Sequence, residues 1–296
     1  MASREVKFPQ ISCNTWIIRA GSDEPAAVFP IFPQPQSLDR ASQRLPDGAY
    51  TTFRTYHRGS AFHLEQHFQR LEESSRLAGV PQKIDPGRMR RGIFQAIQQS
   101  PGPDSRIRLL LDLTRHPGDL YISLEPLTAP SQKEYESGVR VVTLELRREN
   151  PGAKLTQFIP RAAAIRETLP DGAAEGIMLD EDGSFLEGLS SNFFAVIDQR
   201  IYTSADAVLM GITRGLVLDE ARKAGIPVEP VPANYVDLDR FSEAFITSSS
   251  RAVLPVVWID QGRVGNGKPG PTSRLLLEKY RERIDREIEP ILPVPA

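Results

Sequence analysis

Between Arg106 and Arg115 apolar residues recur at every second position. Ile107, Leu109, Leu111 and Leu113 share one face, and Arg106, Arg108, Asp112 and Thr114 the other. A period of two is the pleat of a β-strand, so this run predicts a half-buried strand. Pro117-Gly118-Asp119 then turns the chain into a second strand, Leu120 to Leu124, the signature of a hairpin. Upstream the period changes. Leu64, Phe68, Leu71, Ser75 and Ala78 lie on one helical face over residues 61–78, with Gly79 placed to stop the helix. Asp85-Pro86 opens a second helix as N-cap and first-turn proline, carrying Met89, Ile93 and Ile97 on one side.

The same mixture returns after a polar, proline-containing stretch, Pro126 to Ser137, which reads as a linker. Strands are expected at 139–146, 176–180, 185–186, 192–197, 201–203, 228–231 and 244–247. Helices are expected at 161–169, from Thr213 to a stop at Gly225, and at 272–288. Near the N-terminus, Thr15-Trp16-Ile17-Ile18 and Gly48 to Tyr56 read as strands. Glu24 to Arg44, broken by Pro30, Pro33 and Pro35, reads as irregular. Mixed elements on both sides of a linker predict an α+β protein: a domain at 1–128, a linker at 129–136 and a domain at 137–296.

Charge narrows the function classes. The net charge of −2 gives no bulk attraction to nucleic acid or to a membrane surface. No apolar stretch has the length of a bilayer span, and no basic segment precedes an apolar run at the N-terminus. Cys13 is the only cysteine, which fits a reducing compartment, so the chain is read as cytoplasmic. His63 and His67 are four apart on a helix but lack the glutamate placement of a zinc-protease helix, so no metal is expected. Gly265-Asn266-Gly267-Lys268-Pro269-Gly270 spells a dinucleotide fingerprint without its strand, and reads as a turn.

A different set of residues carries chemistry. Lys154 follows a predicted strand and a Pro-Gly turn. Desolvation and nearby cations can lower such an amine's pKa and free it for Schiff-base chemistry, although most lysines are simply solvated. Glu187 closes a short apolar strand before Gly188; a carboxylate there can cap the strand or keep a cofactor's ring nitrogen protonated. Ile212-Thr213 stands at a helix N-terminus, where free N–H groups suit a phosphate. Ser248-Ser249-Ser250 follows a strand and offers hydroxyls and N–H groups. Arg70 borders the buried stripe of the first long helix, a place suited to bidentate phosphate binding.

Taken together, these segments resemble the fold type IV pyridoxal-phosphate enzymes, the class IV aminotransferases. That family includes branched-chain aminotransferases, D-amino-acid transaminases and aminodeoxychorismate lyase. Gly48 to Tyr56 is similar to its first active-site strand, and His67-Phe68-Gln69-Arg70-Leu71 to its phosphate-arginine helix. Glu187-Gly188 with Ser190-Ser191-Asn192-Phe193, Gly211-Ile212-Thr213-Arg214 and Ser248-Ser249-Ser250 follow at the family's spacing. The resemblance implies a smaller N-terminal α/β domain, a larger C-terminal pseudo-barrel, a homodimer, and pyridoxal 5'-phosphate. It implies that Lys154 bonds the cofactor and moves the substrate proton, and that Glu187 holds the ring nitrogen. Arg70, Ile212, Thr213, Ser249 and Ser250 would hold the phosphate. The partners implied are an amino donor and a 2-oxo acid.

Three departures bear on substrate. Tyr50-Thr51-Thr52 stands where branched-chain members carry Phe-Glu-Gly, and its Thr-Thr pair resembles aminodeoxychorismate lyase. Ile159 replaces a common tyrosine, as in the D-amino-acid branch. The loop His116-Pro117-Gly118-Asp119 lacks that branch's Arg–His trap. Tyr50, Arg108 and Arg115 are the candidate substrate contacts. A transaminase is the leading expectation. The alternatives are a pyruvate-eliminating lyase and a non-catalytic ligand-binding relative.

Overall fold

The computed structural model describes residues 13–21, 37–100 and 102–292, so the sequence readings at 1–12 and 22–36 lie outside it. The first half contains β1 (Asn14–Ile18), α1 (Leu38–Ser42), β2 (Gly48–Arg54), β3 (Ser60–Phe62), α2 (Leu64–Leu77), α3 (Pro86–Gln98), β4 (Ser105–Asp112) and β5 (Leu120–Pro126). Then follow α4 (Gln132–Ser137), β6 (Val139–Glu145), α5 (Phe158–Glu167), β7 (Ala173–Leu179), β8 (Phe185–Gly188), β9 (Asn192–Ile197) and β10 (Arg200–Tyr202). The chain ends with α6 (Ile212–Lys223), β11 (Val228–Glu229), β12 (Glu243–Ser248), β13 (Ala252–Ile259), β14 (Gly262–Arg263), α7 (Pro271–Glu287) and β15 (Ile288–Pro290).

The first sheet runs β1-β5-β4-β2, leaving β2 as an edge. Its apolar face, Ile107, Leu109 and Leu111, packs on Leu64, Phe68 and Leu71 of α2 and Ile93 and Ile97 of α3. The caps are those the sequence signals. Asp85 accepts from the Arg88 N–H at 3.0 Å, and Gly79 takes the left-handed conformation that ends α2. One expectation fails: β4 is not half-buried. Arg108 and Asp112 are as buried as their apolar neighbours, because the second face of this sheet meets α1 and a cavity rather than solvent. The irregular stretch expected up to Arg44 also needs correcting. Its last part is α1, capped by Ser37 on the Arg40 N–H.

The second sheet orders its strands β11-β10-β9-β12-β13-β6-β7-β8, and β8 pairs back onto β9. The strands β9, β12, β13, β6, β7 and β8 therefore close a six-membered ring. The closing pair is Glu187 and Asn192. Strand β13 is absent from the strands expected above, and it carries Pro255, a residue that central strands rarely hold. The proline is accommodated where β13 pairs antiparallel to β12, beside an irregularity in its pairing to β6. Alternation along β9 sends Phe193 and Ala195 to one core, and Phe194 and Val196 to another shared with α6 and α7. Phe194 stacks on Phe245 with centroids 4.7 Å apart. Phe194→Ala is expected to cost about 3–5 kcal/mol. A lowered urea midpoint at unchanged slope would show it. Among the described residues, no helix is long and apolar enough to cross a membrane.

Candidate active site

Lys154 lies in the loop between β6 and α5, and that loop is stitched to the free edge of β2. The Tyr50 N–H donates to the Lys154 carbonyl at 2.9 Å, and the Thr156 N–H donates to the Gly48 carbonyl at 2.9 Å. The Lys154 N–H donates to Ser74 Oγ of α2 at 3.1 Å. An unpaired strand edge thus becomes the mount for a lysine supplied by the other half of the chain. The side chain faces a cavity with about 770 Å³ of empty space, part of it open to solvent. Lys154 Nζ sits 4.7 Å from the centroid of the Tyr50 ring, and the Arg108 guanidinium 5.0 Å from the same ring.

These neighbours set the protonation states. Burial, then the charges of Arg148 and Arg70, holds the Lys154 amine below the usual lysine range despite the opposing pull of Tyr50 and Glu187. Burial alone would raise the Tyr50 phenol, but Lys154, Arg148 and Arg108 outweigh it and hold it low. His67 is pushed down to about 3, mainly by burial and then by Arg70 and Lys154. It is a neutral ring at physiological pH, and its Nδ1 shares a 2.7 Å hydrogen bond with Thr51 Oγ1.

Glu187 occupies the ring closure of the second sheet and is buried. Its Oε2 accepts from the Leu209 N–H at 3.1 Å and from Asn192 Nδ2 at 3.4 Å. Its Oε1 lies 3.0 Å from Arg148 Nε, without hydrogen-bond geometry. Burial pushes the carboxyl above the usual range, and Arg148 and the Leu209 N–H hold it partly back. Arg148 is clamped on its other side by Phe158, 4.0 Å from the ring centroid. Sequence reasoning misses Arg148. In Arg147-Arg148-Glu149 it reads as part of a solvated charge run, and only its place six residues before Lys154 hints otherwise.

A further part of the cavity wall is rich in donors. Gly211 caps α6 without a side-chain hydrogen bond, so Ile212 and Thr213 present the helix N-terminus to the cavity. A Cβ at Gly211 would fall 2.2 Å from Asn192 Oδ1, so any larger residue there would have to displace the Asn192 side chain. Arg70 reaches from α2 to the Met210 carbonyl just before α6. Ser249 and Ser250 line the same cavity from the turn after β12. Buried Glu175 ties that turn to the one after β8. It accepts from Arg251 Nη1 at 2.6 Å, Ser190 Oγ at 2.8 Å and Ser191 Oγ at 3.2 Å.

Lys154, Glu187, Arg70, Ile212, Thr213, Ser249, Ser250, Tyr50 and Arg108 all line this one cavity. Arg115 does not; it is exposed in the turn after β4. Thr247 Oγ1, Glu187 Oε1 and Arg148 Nη1 are buried with no hydrogen-bond partner. Such orphans are costly unless a bound group satisfies them. An amine, a buried carboxyl and a donor-rich pocket with an arginine fit a pyridine ring bearing a carbonyl and a phosphate. Among the described residues, no cluster of three or more His, Cys, Asp or Glu could hold a metal.

Residues 48–259 match the family model described as amino-transferase class IV. A putative branched-chain-amino-acid aminotransferase of Methanocaldococcus jannaschii is 28% identical over 254 residues, 80% of this chain and 86% of the relative. A D-alanine aminotransferase of Bacillus licheniformis is 28% identical over 251 residues, 80% of this chain and 87% of the relative. In fold, the chain is similar to the T.th. branched-chain amino acid aminotransferase solved with pyridoxamine 5'-phosphate. The TM-score is 0.77 at 23% identity, covering 94% of this chain and 98% of that one.

Proposed function

The chain belongs to the class IV aminotransferase family and is a pyridoxal 5'-phosphate-dependent transaminase; we propose that Lys154 is its catalytic residue and that Glu187, Arg70, Ile212, Thr213, Ser249 and Ser250 hold the cofactor. The reaction moves an amino group between an amino acid or amine and a 2-oxo acid. One observation carries the assignment of residues: the Lys154 amine, the Glu187 carboxyl and the α6 donor end line a single cavity.

When bound, the cofactor supplies an electrophilic carbonyl for amines and a ring that accepts electrons. The chain's own groups do the rest. Lys154, with its amine pKa lowered, gives up its proton more readily than an ordinary lysine, and it takes up and returns the substrate proton at Nζ. Glu187, with its carboxyl pushed up in pKa, keeps a proton or its charge at the ring nitrogen. The N-terminus of α6, the two serines and Arg70 bind phosphate oxygens and fix the ring's register. Tyr50 lies beneath the lysine and orients its amine.

Purified protein incubated with pyridoxal phosphate is expected to turn yellow, and borohydride should fix the cofactor on the peptide containing Lys154. An amino donor should then convert the absorbance to that of the pyridoxamine form. Pyruvate release from aminodeoxychorismate without this conversion would assign the lyase instead. A colourless protein that cannot be loaded would point to a non-catalytic ligand-binding relative.

The division of the chain at 129–136 is part of the same proposal. It is supported by the first sheet ending at Pro126 and the second beginning at Val139. A homodimer in the cytoplasm is the assembly and compartment inferred, resting on the family resemblance and the single, buried Cys13. Light scattering on the purified chain tests the former.

A further inference from the structure

Arg108 lines the cavity, yet its guanidinium is already taken. Nη2 donates to Asp39 Oδ1 at 2.9 Å. Nη1 donates to the Leu38 carbonyl at 3.0 Å and to Ser42 Oγ at 2.9 Å, and Nε to Thr52 Oγ1 at 3.3 Å. All but Thr52 belong to α1. The second oxygen of Asp39 accepts from Arg166 Nη1 of α5 at 2.8 Å. Asp39 therefore spans two guanidiniums, one on β4 of the first sheet and one on the helix that follows the lysine loop. The neighbouring cation is less committed. Arg106 also lines the cavity and pairs with Glu125 through Nη1 at 3.1 Å, while its Nε is buried without a partner.

We propose that Asp39 is a specificity-determining residue: it acts as an internal carboxylate that occupies Arg108 and leaves Arg106 as the guanidinium open to a substrate carboxylate. This rests on the transaminase reading above, in which the substrate's charged group enters this cavity. The physical argument is competition. A guanidinium has five N–H donors in one plane. With hydrogen bonds to Asp39, Leu38, Ser42 and Thr52, Arg108 cannot offer a bidentate face to an incoming carboxylate without breaking the Asp39 pair. Strand β4 therefore brings two cations to the wall, but a ligand meets one. The site discriminates against acids that need both, and the discrimination comes from α1, a segment outside the cavity wall.

Calorimetric titration of the cofactor-loaded enzyme with butanedioate and butanoate tests this without turnover. In the wild type the second carboxylate should add little affinity. In Asp39→Asn, which keeps the shape and removes the charge, the ratio of affinities should move about tenfold toward butanedioate, the scale of one charge-assisted pair. The double variant D39N/R108M should lose that gain. Arg108→Met alone should leave the ratio at the wild-type value, and it keeps the test intact if D39N does not fold. An unchanged ratio in D39N, or a ratio in R108M that falls tenfold against butanedioate, overturns the proposal. The two readings fail separately. If the ratio shifts as stated but no 2-oxo acid is aminated, the transaminase reading fails and Asp39's role stands.

Discussion

Lys154→Ala is expected to remove transamination almost completely, lowering kcat/KM by about ten-thousand-fold or more, while leaving the protein folded and able to take up cofactor. The asymmetry follows from how the residue is mounted. The lysine loop is held by the Lys154 carbonyl and N–H and by the Thr156–Gly48 pair, all backbone or neighbouring groups that alanine retains. The wall proposed to hold the phosphate is built from other elements, α2, α6 and the turn after β12. What the variant loses is Nζ, the group proposed to bond the cofactor and shuttle the proton. Stability should not fall with it. The folded amine has a depressed pKa, so protonating it opposes folding, and this opposition is present at pH values below the folded pKa. Equilibrium unfolding of the two apoproteins at neutral pH should show the variant at least as stable. The wild-type rate should rise with pH through a limb lying below the usual lysine range. Single-turnover kinetics measure the first expectation, a pH profile the second. A variant keeping even a hundredth of the wild-type kcat would rule Lys154 out of the proton transfer.

Much of this arrangement is legible in the residues, and what is not has a common cause. Period and caps are local, so α2, α3 and the β4–β5 hairpin can be read from Leu64 to Leu124. The donor end can be read because a helix N-terminus and a serine turn carry their own chemistry. Arg148, Asp39 and Glu175 cannot. Arg148 and Asp39 are charged residues in polar stretches and Glu175 a lone charge on a strand, so solvation is the natural reading, and each is buried against a partner distant in sequence. Arg148 answers Glu187, Asp39 answers Arg108 and Arg166, and Glu175 answers Ser190 and Arg251. The alternation of β4 predicts the strand but not its environment, because nothing in a period of two says what covers the polar face. Strand β13 is the opposite case: Pro255 is a local signal against a central strand, and the pairing around it overrides that signal.

Glu187→Gln is expected to lower kcat by about a hundred- to a thousand-fold with the cofactor still bound. Glutamine preserves the acceptor that receives the Leu209 N–H, so the ring closure between β8 and β9 should survive. It cannot keep a proton or a negative charge at a ring nitrogen, and the chemistry of the bound ring depends on that. The electrostatic consequence is separable from the catalytic one. Removing the carboxyl leaves Arg148 buried between Phe158 and a neutral amide, so the apoprotein should lose stability, and lose most where the wild-type carboxyl holds its proton. That cost should depend on pH with a definite sign. The folded Glu187 carboxyl has a raised pKa, so the native protein holds its proton over a range where the unfolded chain has released it. Its contribution to stability is full below the unfolded value and declines as pH rises through the folded one. The advantage of wild type over E187Q should therefore shrink as pH climbs from the ordinary carboxylate range through that higher value. Adding Arg148→Met to E187Q should recover stability without recovering turnover, since it removes the stranded charge and not the chemical defect. Urea unfolding at several pH values and steady-state kinetics on the two variants measure both. If E187Q turns over at the wild-type rate, the ring nitrogen is held elsewhere; if R148M fails to restore stability in the double variant, the pair is not what stabilises this corner of the ring.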